Sequence, residues 1–203
     1  WSPATGLSNA NIRNPIVTTS TNINYTVPAS LNGCTKSTPV AVQTKTVTVN
    51  AGADQTVCSG SPASLQATSD STGVTYSWSP STGLSSTSVA NPTATLTGTQ
   101  AFTQTYTVTA TLNGCTRTDQ VDVRVNPLPV ISAGPDRTIV SGDEIILTGS
   151  GIANPTSILW TPNTAITGAN TYTPSVKPTT TTTYTLTVRN SNNCVSTDNA
   201  IVN

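Results

Sequence analysis

The chain has no histidine, no methionine, one phenylalanine and only 8% charged residues, and its formal net charge is zero. Without histidine the commonest general base and metal ligand is missing, and no Ser or Cys nucleophile has its usual partner. The sequence therefore predicts no catalytic site and no cofactor. Eight Lys and Arg against eight Asp and Glu leave no basic stripe for nucleic acid and no polybasic patch for a membrane surface. No apolar run reaches the length of a membrane span, and no leader pattern follows Trp1. Trp1 and Asn203 are accordingly read as internal points of a longer polypeptide.

The carboxylates do not form a catalytic pair. Asp143 and Glu144 are adjacent, and Asp119 and Asp122 are three apart, so on a strand each pair points to opposite faces. The four cysteines show no CxxC spacing, which argues against a metal site. Asp54 and Asp136 recur in one turn and leave two readings open, a calcium ligand or a cap on the turn's own backbone.

What is abundant is threonine, roughly a fifth of the chain, in alternation with Val, Leu and Tyr, a pattern that fits a pleated, half-buried surface. Thirteen Gly and fourteen Pro interrupt any helical period. The expectation is an all-β protein. Self-similarity gives its plan. Trp1-Ser2-Pro3-Ala4-Thr5-Gly6-Leu7-Ser8 aligns with Trp78-Ser79-Pro80-Ser81-Thr82-Gly83-Leu84-Ser85, and a third copy opens at Trp160-Thr161-Pro162. Trp1 and Trp78 are 77 residues apart, and Trp78 and Trp160 are 82 apart, the size of a small sandwich domain. Leu31-Asn32-Gly33-Cys34-Thr35 matches Leu112-Asn113-Gly114-Cys115-Thr116, with Cys194 in the third copy. The stretch from Ala51 to Gly60 recurs from Ala133 to Gly142, where Val140 replaces Cys58.

Three repeats follow: the C-terminal part of one over residues 1–50, a complete one over 51–126, and a third over 127–203 with its final strand incomplete. Strands are expected at 55–58, 64–68, 75–79, 94–97, 104–112 and 116–125, with an Asn-Gly hairpin turn at Asn113-Gly114. Prolines in Asn126-Pro127-Leu128-Pro129 make that join stiffer than a Gly/Ser tether, so an extended array is expected. Trp1, Trp78 and Trp160, one per repeat on a mid-domain strand, are read as core anchors in preference to a sugar-stacking platform. Tyr25, Tyr106 and Tyr184 are read as core rings whose hydroxyls find backbone acceptors. Tyr76 and Tyr172 do not recur and are the residues left for a glycan-binding face.

Cys58 ends the first strand of the middle repeat and Cys115 follows its penultimate strand, a placement that suggests a Cys58–Cys115 disulfide between facing sheets. Such a loop would contribute roughly 4 kcal/mol and implies an extracytoplasmic location. On the same logic Cys34 pairs with a cysteine about 20 residues before Trp1, and Cys194 is left unpaired.

The motifs Asn-Ala-Gly-x-Asp-Gln-Thr-Val-Cys-Ser-Gly, Trp-Ser-Pro-x-Thr-Gly-Leu-Ser, Tyr-Thr-Val-Thr and Asn-Gly-Cys-Thr resemble the immunoglobulin-like (Ig-like) and polycystic-kidney-disease-type (PKD-like) repeats of very large Bacteroidetes surface proteins, gliding-motility adhesins among them. The resemblance covers essentially the whole chain. It implies tandem Ig-like β-sandwiches, type IX secretion, a cell-surface location, and a role as stalk, filament or adhesin whose partners are neighbouring repeats, other copies of the filament or surface glycans. Similar repeats also serve as spacers in secreted polysaccharide-degrading enzymes. Asp70-Ser71-Thr72 resembles the short O-glycosylation site of that bacterial group, which makes Ser71 the candidate modification site.

Overall fold

The structure is a computed structural model that describes all 203 residues. Every regular element is a strand: β1 (Ile23–Leu31), β2 (Cys34–Val42), β3 (Gln55–Cys58), β4 (Pro62–Ser64), β5 (Thr75–Ser79), β6 (Thr93–Thr95), β7 (Phe102–Leu112), β8 (Cys115–Asn126), β9 (Ile145–Ile146), β10 (Ser157–Thr161), β11 (Ile166–Thr167), β12 (Ser175–Val176), β13 (Thr182–Arg189) and β14 (Val195–Val202). The chain divides into two compact units, Trp1–Val47 and Thr48–Asn203.

In the first unit β1 pairs antiparallel with β2, and bridges tie Ser2 to Thr26 and Leu7 to Val17. Tyr25 is buried there, whereas Trp1 is only half-buried.

The second unit holds two separate cores. In the middle repeat a four-stranded sheet, ordered β3-β8-β7-β5, faces β4-β6. The third repeat repeats the plan with β10-β13-β14 against β11-β12-β9. Period-two alternation explains the long strands. Tyr106, Val108 and Ala110 of β7 and Val121, Val123 and Val125 of β8 point inward, while the intervening Thr and charged residues are less buried or exposed. Trp78 and Trp160 are buried at the centres of the two cores, and Tyr184, Leu186 and Val188 occupy on β13 the places of the β7 trio. Each deeply buried Val or Leu contributes about 1.5–3 kcal/mol relative to exposure.

One edge is unexpected from sequence. β3 runs parallel to β8, from Gln55 beside Val123 to Cys58 beside Asn126, and Arg137 makes the same parallel bridge to Val202. The strand expected over 64–68 is instead Pro62–Ser64, which shares only Ser64 with that expectation. Beyond it Leu65 donates to the Pro92 carbonyl at 2.9 Å, but proline has no N–H to return the bond, so the ladder lapses.

The Trp-Ser-Pro-x-Thr-Gly-Leu-Ser motif becomes a clamp. The Xaa-Pro bond after each tryptophan is cis, at Ser2-Pro3, Ser79-Pro80 and Thr161-Pro162. Gly83 then lies at φ 70° with its carbonyl accepting from Thr95 N at 2.9 Å, and Gly6 does the same with Thr18 N at 2.8 Å. A Cβ on Gly83 would sit 2.5 Å from the Thr95 carbonyl oxygen. Gly114 in the β7–β8 hairpin has a similar φ of 80° but open space around it. Gly83→Ala is therefore expected to cost about 2–4 kcal/mol in urea melts, and Gly114→Ala about 1 kcal/mol, the difference reporting the close approach and not the backbone angle.

Candidate functional site

No three His, Cys, Asp or Glu side chains gather in a group that could hold a metal ion. The side chains with recurrent polar contacts act on backbone. Each tryptophan indole donates to a carbonyl eleven residues on: Trp1 to Ile12 at 3.1 Å, Trp78 to Val89 at 3.0 Å and Trp160 to Thr171 at 2.9 Å. The phenol of Tyr25 donates to Thr5 O at 2.7 Å, and Tyr106 to the equivalent Thr82 O. Burial pushes the Tyr106, Tyr172 and Tyr184 phenols above the ordinary tyrosine pKa.

Asp54 Oδ1 accepts from Asp122 N at 2.9 Å, and Asp136 Oδ1 accepts from Ile201 N at 2.8 Å. Each carboxylate therefore ties the start of its repeat to that repeat's last strand. A second tie runs the other way, Asp119 accepting from Ala51 N at 2.7 Å and Asp198 from Ala133 N at 2.8 Å. Glu144 accepts from the Ser175 hydroxyl, and Asp143 is exposed. Tyr76 packs partly buried against the middle core, and Tyr172 against the third with its hydroxyl donating to Ile152 O at 3.0 Å. Ser71 is half-buried in the turn before β5, its amide donating to Ser69 Oγ at 3.3 Å.

The feature that connects one repeat to the next is covalent. Cys58 is bonded to Cys194, 136 residues away, with their Cα atoms 5.6 Å apart. This corrects the Cys58–Cys115 pairing and the expectation that Cys194 is unpaired; Cys34 and Cys115 are free and exposed. The physical reason is strand length. Cys58 sits beside Asn126 at the end of β8, whereas Cys115 begins β8. Eleven residues of strand rise lie between, about 36 Å, far beyond the roughly 7 Å that a disulfide can span.

Around the bond the junction is fastened by polar contacts. Asn190 Nδ2 donates to Pro127 O at 3.1 Å and Ser196 Oγ to Pro129 O at 2.7 Å, so the hairpin between β13 and β14 holds the proline linker along its length. Cys194 N and Asn192 N both donate to Asn190 Oδ1 at 3.0 Å, which shapes that hairpin. Asn126 is buried, its carbonyl accepts from Ser59 N at 2.8 Å, and Cys194 Sγ lies 4.0 Å from the same oxygen. Cys194 itself is fully buried. A bond closing 136 residues restricts the unfolded chain by roughly 5 kcal/mol in the entropy account.

Residues 44–127 match the family model described as Ig-like domain, CHU_C associated. The matched segment spans the middle repeat, and the all-strand, two-sheet architecture is that of an Ig-like β-sandwich. No curated protein matches the chain. Among solved structures, titin domains I67–I69 in an E-to-A variant align at 11% identity over 100% of this chain and 83% of theirs, with a TM-score of 0.43. Titin Z1Z2 in complex with telethonin aligns at 17% identity over 79% and 97%, TM-score 0.38, and Drosophila OTK extracellular domains 3–5 at 14% over 88% and 70%, TM-score 0.40. Ig-like domains carrying a disulfide are typical of extracellular proteins, and no helix is long and apolar enough to cross a membrane.

The clasp makes a direct chemical forecast. Alkylation of the folded, unreduced protein should spare Cys58 and Cys194, read by peptide mass mapping; labelling of Cys194 in the folded state would contradict a bonded junction.

Proposed function

We propose that this chain is a tension-carrying segment of an extracellular bacterial surface protein, a stalk or filament of Ig-like repeats of the kind found in Bacteroidetes adhesins exported by the type IX route. The observation that supports this best is the Cys58–Cys194 bond, which joins one repeat to the next at a proline-stiffened linker. A flexible tether of domains would need no such bond. The repeated core landmarks and the commitment of the recurrent polar side chains to backbone also favour a mechanical role.

The bond has a mechanical consequence. Force applied along the chain reaches Cys58 and Cys194 and passes through the disulfide, so the residues between them cannot be drawn out even where the strands yield. A glycan-binding module or a spacer in a secreted polysaccharide-degrading enzyme is the alternative reading. Tyr76 and Tyr172 supply less exposed ring surface for glycans than that reading needs, since both pack against the cores. Glycan-array binding lost on Tyr76→Ala or Tyr172→Ala would favour it nonetheless.

Single-molecule stretching tests the mechanical reading. Under oxidising conditions the middle and third repeats should give no extension step of a whole repeat's length. Adding reductant should release the 136-residue loop, about 450–490 Å of contour. Whole-repeat steps in the unreduced protein would sink the proposal.

A further inference from the structure

The unit Trp1–Val47 sets two strand edges on either side of an open groove. Two equivalences with the middle repeat define them. Val40 faces Tyr25 across β1 and β2 as Val121 faces Tyr106 across β7 and β8, so Val42 stands at the place of Val123. Leu7 bridges Val17 as Leu84 bridges Ala94, and the Gly6 and Gly83 carbonyls accept from Thr18 N and Thr95 N, so residues 16–18 stand at the place of β6. Burial differs at these places. Val121, Val123 and Ala94 are at most 1% exposed, whereas Val40 is 39% exposed and Val17 and Val42 are half-buried. The groove measures about 300 Å³, and Leu7 and Val17 line it from one edge, Tyr25, Val40 and Val42 from the other.

In the middle repeat one continuous segment fills the same space. β3 runs parallel to β8 with Gln55 beside Val123, the chain turns at Ser59-Gly60, and β4 runs antiparallel to β6 with Ala63 beside Ala94. Asp54 accepts from the Asp122 amide, Ala51, Ala63 and Leu65 are each 1% exposed, and Val57 packs on the same core. By the same register Asp122 corresponds to Ala41.

An open strand edge takes an added strand through main-chain hydrogen bonds, and the pockets for its alternate side chains supply selectivity. We propose that this groove is a strand-acceptor site for a polypeptide segment of the β3–β4 kind. Such a segment carries Asp-x-Thr-aliphatic parallel to β2, then a Ser-Gly turn, then a short strand with small apolar side chains antiparallel to residues 16–18. Its Asp carboxylate accepts from the Ala41 amide, and its apolar residues cover Val17, Val40 and Val42. The site needs neither the disulfide nor tension, so it stands apart from the stalk role.

The probe is a synthetic peptide with the sequence of residues 51–68 carrying Cys58→Ser, titrated into the intact chain of 203 residues and followed by calorimetry and backbone amide exchange. The expected result is saturable binding of one peptide per chain, with slowed exchange within residues 41–45 and 16–18. Binding should weaken about tenfold or more for a peptide bearing Leu65→Asp and for the protein bearing Val40→Arg, a substitution at a position already open to solvent. No saturable binding at about 1 mM peptide, equal binding of a scrambled peptide, undiminished binding to the Val40→Arg protein, or slowed exchange only in the middle or third repeat would overturn it.

Discussion

Small all-strand sandwiches with few aromatics bury little surface each, and a chain of them transmits force only as well as the joints between them hold. Here the joint is a covalent bond placed where two poles meet, the end of one repeat's first strand and the last hairpin of the next. Everything near it serves to keep those poles together. The parallel pairing of β3 with β8 carries Cys58 to the end of its repeat, the buried Asn126 closes that end, and Asn190 and Ser196 hold the linker against the receiving hairpin. Inside each repeat the indole and carboxylate ties do for the sandwich what the disulfide does for the pair.

Much of this was legible in the sequence. Threonine alternating with Val and Tyr marked β7, β8 and β13, the Asn-Gly dipeptide marked the hairpin at Asn113-Gly114, and the tryptophan motif fixed the repeat length. Those signals are local, set by side-chain period and turn chemistry. The destination of Asp54 and Asp136 was half legible: their recurrence was visible, but their acceptor role toward a strand some 65–68 residues away depends on the fold closing.

The partners of the disulfide are not legible in the sequence, for a physical reason. Within-repeat pairing looked natural because both cysteines of the middle repeat lie at strand ends, and spacing along a sequence does not say which end of a sheet a strand end reaches. The parallel edge decides it by placing Cys58 at the opposite pole from Cys115. One clue was present: Val140 replaces the first-strand cysteine in the third repeat, yet Cys194 persists. Persistence of one cysteine after loss of its supposed partner points to a partner elsewhere.

With that bond in place the middle and third repeats are expected to move as one body. Backbone nitrogen-15 relaxation measures it directly. The expected result is a single rotational correlation time for residues in 51–126 and 127–203 of the oxidised protein, splitting into two faster ones in Cys58→Ser. Independent tumbling of the two repeats with the disulfide intact would contradict it.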